Sequence, residues 1–195
     1  MLAQHLGLSV PDPAIIIVDE AVARTVPEQA RDLAMKNIGA MYGSRYLYGG
    51  FTTWPTNQRI PEFLLTTALK AFIFDAMIEN PDRQATRPNV LWMNAELFLI
   101  DHESAFTFLY ALPWETGNME YLGQHVYHHD LSLRRPHDYS VIQSRIASCS
   151  IVWEQIERAI PEEWHGNHVD RIKEHILSIA ENPTTFINKI RQALT

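Results

Sequence analysis

FIFDAMIENPDRQATRPNVLWMNAELFLIDHESAF, residues 72–106, is the stretch on which the reading of this chain turns. Its first residues close a helix that Pro61 and Glu62 open. Leu65, Leu69, Phe72, Ile73, Ala76 and Met77 keep a helical period, and Asn80-Pro81 ends it. Residues 82–88 read as a polar loop. VLWM and ELFLI, joined by Asn94-Ala95, spell a β-hairpin that runs straight into Asp101. Asn89 enters the first strand and Asp101 leaves the second, so both stand at one open end, with Asp82 on the loop just before. Phosphoryl transfer to a hydroxyl needs groups of this kind. One carboxylate orients the acceptor and takes its proton. A second carboxylate, with an amide oxygen, holds magnesium against the phosphates.

Upstream, residues 2–7 begin helically and stop at Gly7, and LSVPDP is extended because Pro11 and Pro13 exclude helix before them. AIIIVDE, residues 14–20, predicts a strand buried on both faces. Residues 27–37 predict a helix. Residues 39–57, rich in glycine and aromatics, predict a long structured loop. Downstream the chain turns helical, with apolar stripes over 139–159 and 168–181 and a last helix over 184–194.

Hydrophobic residues make up 46% of the 195, enough for a buried core in one domain. A net charge of −7 argues against direct nucleic-acid binding. The single cysteine, Cys149, admits no internal disulfide and suits a reducing cytoplasm. MLAQHLGLSV lacks the features of a signal peptide, and no stretch suggests a membrane helix.

The order aspartate, loop, asparagine, hairpin, aspartate is similar to the catalytic and metal segments of kinase-fold enzymes. FDAMIENPDR, NVLW and LFLIDHESAF resemble the HipA-like protein kinases, and LAQHLGLSVP resembles that family's link into its central strand. HV at 125–126 and IPEEW at 160–164 match more weakly. The resemblance implies a mainly α fold with a small β element, the carboxy-terminal lobe of a HipA-like kinase whose amino-terminal lobe is missing. It implies a hinge-side strand and loop region at 1–60, a catalytic and metal-binding core at 61–110, and a helical part at 111–195. Asp82 would be the catalytic aspartate and Arg83 would brace its loop. Asn89 and Asp101 would hold Mg2+ and, through it, ATP. The acceptor would be a protein serine or threonine, and a partner chain would supply or cover the amino-terminal side.

Three departures accompany the resemblance. Kinases usually place the metal asparagine five residues after the catalytic aspartate; Arg87 stands there, and Asn89 comes seven after. Glu103 follows Asp101-His102 where glycine is expected. No Gly-rich loop is present, and none of Lys36, Lys70, Lys173 and Lys189 falls in a phosphate-gripping strand. A catalytically dead pseudokinase that binds a partner or nucleotide is therefore one alternative. A metal-dependent phosphohydrolase is another, using His125, His128, His129 and Asp130 with His102 and Glu103. Asp75, among Phe72, Phe74 and Met77, reads as a structural hydrogen-bonding residue, Cys149 as a buried thiol, and Trp92, Phe98 and Phe106 as core. Ile15, Ile16 and Ile17 call for cover, either from a partner chain or by folding back against the aromatic loop at 42–54.

Overall fold

A computed structural model of the chain describes residues 1–110 and 119–195, so the first part of the expected helical region, 111–118, lies outside the described residues. Contacts divide it into two units, Met1–Val10 with Gly50–Thr195, and Pro11–Gly49. Helices dominate, and the strands form two small sheets.

The chain begins with α1 (Leu2–His5), which packs on a later helix and ends at Gly7. There φ is +79°, left-handed backbone that a side chain strains, so glycine is favoured. The next unit runs β1 (Pro13–Val18), α2 (Glu20–Thr25), α3 (Glu28–Lys36), β2 (Gly39–Ser44). Asp19 caps α2, its Oδ1 accepting from the Val22 amide at 2.7 Å. β1 and β2 pair antiparallel, from Pro13 opposite Ser44 to Val18 opposite Gly39.

This corrects the reading of AIIIVDE. Ile15, Ile16 and Ile17 are 46%, 47% and 67% exposed rather than buried on both faces. Two strands make no layered sheet, and burial on both faces needs a layer against each. Among residues 11–49 only Ala23 is buried. The expected long loop also carries more structure than predicted: its start is β2, which folds back along β1, and residues 52–53 form the next strand.

From Gly50 the chain enters β3 (Thr52–Thr53), then a 3-10 turn, Glu62–Leu64, and α4 (Leu65–Met77). Residues 71–77 of α4 are all buried, as expected of a helix apolar on every side. β4 (Val90–Met93) and β5 (Glu96–Leu99) form the expected hairpin, Val90 opposite Leu99 and Met93 opposite Glu96, with Asn94 at φ +55° in its turn. β3 pairs with the outer edge of β4, and Ser9 accepts from the Leu99 amide at 3.0 Å. Val90, Leu97 and Leu99 face the core. Trp92 and Phe106 pack half-buried against it, while Phe98 meets Phe51 edge-on at 5.1 Å.

The helical body comprises α5 (His128–Leu133), α6 (Ser140–Ala147), α7 (Cys149–Ala159), α8 (Asn167–Glu181) and α9 (Pro183–Ala193). α7 packs on α1 and α8, and α6 on α8 and α9. Cys149 is buried there, and burial pushes its thiol up to about 11, which leaves it inert. Among the described residues no helix is long and apolar enough to cross a membrane.

Candidate functional site

An acid in the middle of an apolar helix must find partners, because an unpaired buried carboxylate is costly. Asp75, fully buried on α4, finds three. Arg83 donates from Nε at 2.5 Å and Nη2 at 3.3 Å, Asn80 from Nδ2 at 2.9 Å, and His125 from Nε2 at 3.1 Å. Burial alone would raise its pKa, but the charge of Arg83 and the bond from His125 outweigh it and bring Asp75 to about 2. Asp75 is thus a structural residue, as its sequence context suggested.

Arg83 is 1% exposed, and its other nitrogen reaches further. Nη1 donates to the backbone carbonyl of Asn89 and, at 3.3 Å, to that of Ile100. One guanidinium therefore joins the end of α4, the loop after it and the open end of the β4–β5 hairpin. The backbone closes the same junction: the Ile100 amide donates to Asn89 O at 3.0 Å, and the Val126 amide to Arg83 O at 3.0 Å. Arg83 thus stands buried, bonded to Asp75 and to the two carbonyls at the hairpin's open end. The sequence signal for this hub was the acid in FDA; nothing in the spacing tied it to Arg83 or His125.

Asp82 sits at the loop's start with its side chain 18% exposed. Its Oδ2 accepts from Asn89 Nδ2 at 3.0 Å and its Oδ1 from Arg87 Nη1 at 3.1 Å. A carboxylate only accepts, so the Asn89 amide nitrogen faces Asp82 and the amide oxygen is turned elsewhere. Asp101, exposed, follows Ile100 out of the hairpin; its carboxylate makes no hydrogen bond among the described residues. Asn89 and Asp101 both have positive φ, +47° and +54°. Left-handed backbone is uncommon outside glycine, and paired outliers at one hairpin end are the kind of strain that gathers at working sites. The structure brings Asp82 and Asn89 into direct contact. It ties Asn89 by its backbone to the residue before Asp101, and joins Asp101 to neither side chain directly.

Beside the loop lies a cavity of about 840 Å³ with a mixed lining, Trp54, Val126 and Leu133 together with Arg59, Gln84 and His129 among others. Trp54 is 2% exposed and meets Trp92 and Tyr127 edge-on. Asp82, Asn89 and Asp101 do not line this cavity.

The histidine cluster gives no support to the phosphohydrolase alternative. His125 is buried with both ring nitrogens engaged: Nε2 donates to Asp75, and Nδ1 accepts from the Tyr127 amide at 3.2 Å. His128 Nε2 donates to the Ala193 carbonyl, and Asp130 accepts from the Ile60 amide at 2.5 Å. Among the described residues no group of three His, Cys, Asp or Glu side chains is placed to hold a metal.

His102 packs edge-on against Phe74, and its Nε2 has no partner. Burial, with Arg83 nearby, lowers its pKa to about 4. His125 is lowered too, chiefly by burial. Groups held neutral in the fold contribute stability fully above their unfolded value, near 6.5, and lose it as pH falls toward the folded one. Metal-free protein is therefore expected to lose stability between pH 6.5 and 4, on the order of 3 kcal/mol from His102. Thermal unfolding across that window checks this. His102→Gln should flatten the profile, and an unchanged profile would remove His102 as its source.

A family model for HipA-like kinases matches residues 1–192. No curated protein and no solved structure matches the chain.

Proposed function

The chain belongs to the HipA-like kinase family, and from that premise we propose that it forms the acceptor and metal side of an ATP- and magnesium-dependent phosphotransferase acting on a protein serine or threonine. The observation that carries the reading is the Asp82–Asn89 contact. Because the amide nitrogen is committed to Asp82, the amide oxygen is left for a cation. Together with the Asp101 carboxylate it gives two oxygen ligands. That donor set fits magnesium, which keeps several waters and takes its remaining ligands from phosphates.

Each residue then has a defined task. Asp82 accepts the proton of the acceptor hydroxyl as its oxygen turns toward phosphorus. Asn89 Oδ1 and Asp101 hold the metal side. Arg83 keeps Asn89 and the hairpin end in register without touching substrate. When bound, magnesium and ATP supply the phosphoryl group and the charge that steadies its transfer. The cavity beside Gln84 and Thr86 offers room for the segment that bears the hydroxyl. Residues 61–110 are the core of the proposed kinase-type carboxy-terminal lobe, and the cytoplasm is its proposed location.

All four lysines stand on helices, Lys36 on α3, Lys70 on α4, Lys173 on α8 and Lys189 on α9. The phosphate-gripping lysine of a kinase lies on a strand, so we assign that grip to another segment or a partner chain. A nucleotide-binding pseudokinase is the second reading, favoured by the engagement of both Asp82 oxygens.

The test is magnesium-dependent binding of a fluorescent ATP analogue at saturating concentration. Binding is expected with magnesium, is expected to disappear in EDTA, and is expected to be absent in Asp101→Ala under all conditions. Equal binding in EDTA, or an Asp101→Ala variant that binds as the native chain does, would sink the assignment.

A further inference from the structure

We propose that Lys70 on α4 and Arg145 on α6 form an anion site beside Gly7, one that takes a phosphate, either free or carried as a monoester on a serine or threonine side chain. The site stands apart from the phosphotransferase reading and does not depend on it.

Gly7 reveals the geometry. The point at which a side chain would leave it lies 2.5 Å from Arg145 Nη1 and 3.3 Å from Lys70 Nζ, so the two cations flank one spot. No more than about 6 Å separates them, a range at which like charges repel. Lys70 makes no hydrogen bond and no ion pair among the described residues. Its ammonium is held below its ordinary pKa, first by burial and then by the charge of Arg145. Arg145 spends one donor on the carbonyl of His5, at 3.0 Å from Nη1, and its other N–H groups are unengaged among the described residues.

Acids are missing where these cations call for them. α1, α6 and residues 65–74 of α4 contain none, in a chain whose net charge is −7. Asp138 lines a small cavity of about 190 Å³ beside Lys70, together with Thr66, Leu69 and Ile142. Its Oδ1 accepts from the Ser140 amide at 2.9 Å, and it forms no ion pair with Lys70. Two cations held together without an acid repel each other, and an anion between them turns that repulsion into attraction. Both side chains are half-buried, which strengthens the attraction while leaving them within a ligand's reach. A phosphate monoester carries close to two negative charges near neutral pH and so matches the pair, whereas a single carboxylate matches one cation. The guanidinium offers paired donors in one plane and the ammonium a compact charge, both suited to phosphate oxygens.

The test follows thermal unfolding of the full-length chain against inorganic phosphate, with chloride holding the ionic strength constant. The native midpoint is expected to rise with phosphate, by about 3–5 °C at ten times the dissociation constant. Lys70→Met keeps the apolar stem and removes the charge. It is expected to raise the phosphate-free midpoint by about 2 °C, because the repulsion is gone, and to abolish the response to phosphate. A lysine needed only for packing would not produce that pair of changes. Arg145→Gln, which can still donate to the His5 carbonyl, should lose the response as well. A short phosphoserine peptide and its unphosphorylated twin then separate the two sources. Tighter binding by the phosphopeptide than by inorganic phosphate assigns the site to a phosphorylated side chain, and binding no tighter assigns it to free phosphate. No response in the native chain, a response that survives in either variant, or a phosphate-free midpoint lowered by Lys70→Met would overturn the proposal.

Discussion

Asp75→Ala is expected to destabilise the fold by about 3–5 kcal/mol, the cost of leaving one partner of a buried ion pair uncompensated. A domain is typically stable by only about 5–15 kcal/mol, so the variant should unfold at far lower denaturant or fail to accumulate. The orphaned group is Arg83, which has no route to water at 1% exposure. Asn80 and His125 lose an acceptor at the same time. The double variant Asp75→Leu, Arg83→Met separates two roles. Replacing a buried pair by apolar residues of similar size is often neutral, so the part of the loss due to the uncompensated charge should return, while the part due to the unpaired Asn80 and His125 should remain. Metal-dependent nucleotide binding should not return, because the Asn89 and Ile100 carbonyls lose the donor that fixes the hairpin end. Urea midpoints and nucleotide titrations on the three proteins decide it. A cost below about 1 kcal/mol for Asp75→Ala, within the range of an ordinary hydrogen bond, would mean that Arg83 is not held as described.

The second large effect is on chemistry. In an assembly that transfers phosphate, Asp82→Ala is expected to slow transfer by about 10²–10⁴-fold, the usual contribution of a positioned general base. Nucleotide binding with metal should persist, since Asp101 and the Asn89 oxygen remain, though weakened because Asn89 loses the partner of its amide nitrogen. Asn89→Ala should do the reverse and act first on binding. Full transfer by Asp82→Ala would strip that residue of its role. Binding without transfer in any assembly, native chain included, would leave the pseudokinase reading standing.

What could be read in advance was local. The β4–β5 hairpin was legible because two β-rich runs flank a two-residue turn with Asn94. α4 was legible because its apolar positions keep a helical period. The juxtaposition of Asn89 with the residue before Asp101 follows from hairpin geometry alone. Contacts that join distant segments were not legible. Asp75, Arg83 and His125 come from a helix, a loop and a segment some forty residues on, and only the oddity of a buried acid hinted at them. The departure at Arg87 could be counted from Asp82, but its ion pair with Asp82 is a matter of side-chain direction. The isoleucine run misled because hydrophobicity reports what a strand could bury, not whether a layer exists to bury it.

That run belongs to a segment in which one residue, Ala23, is buried. Opening such a segment exposes almost nothing that is not already wet, so its local unfolding free energy lies near zero while the helical body keeps its own. Residues 1–10 are then joined to that body in two independent ways, through the chain and through the burial of Leu6 and Leu8 with the Ser9–Leu99 bond. A backbone break anywhere between Pro11 and Gly49 would leave the amino-terminal peptide docked as a separate fragment. Its own fold rests on the β1–β2 ladder and the Asp19 cap rather than on a buried core, so cutting that ladder is the change to which this stretch is most sensitive.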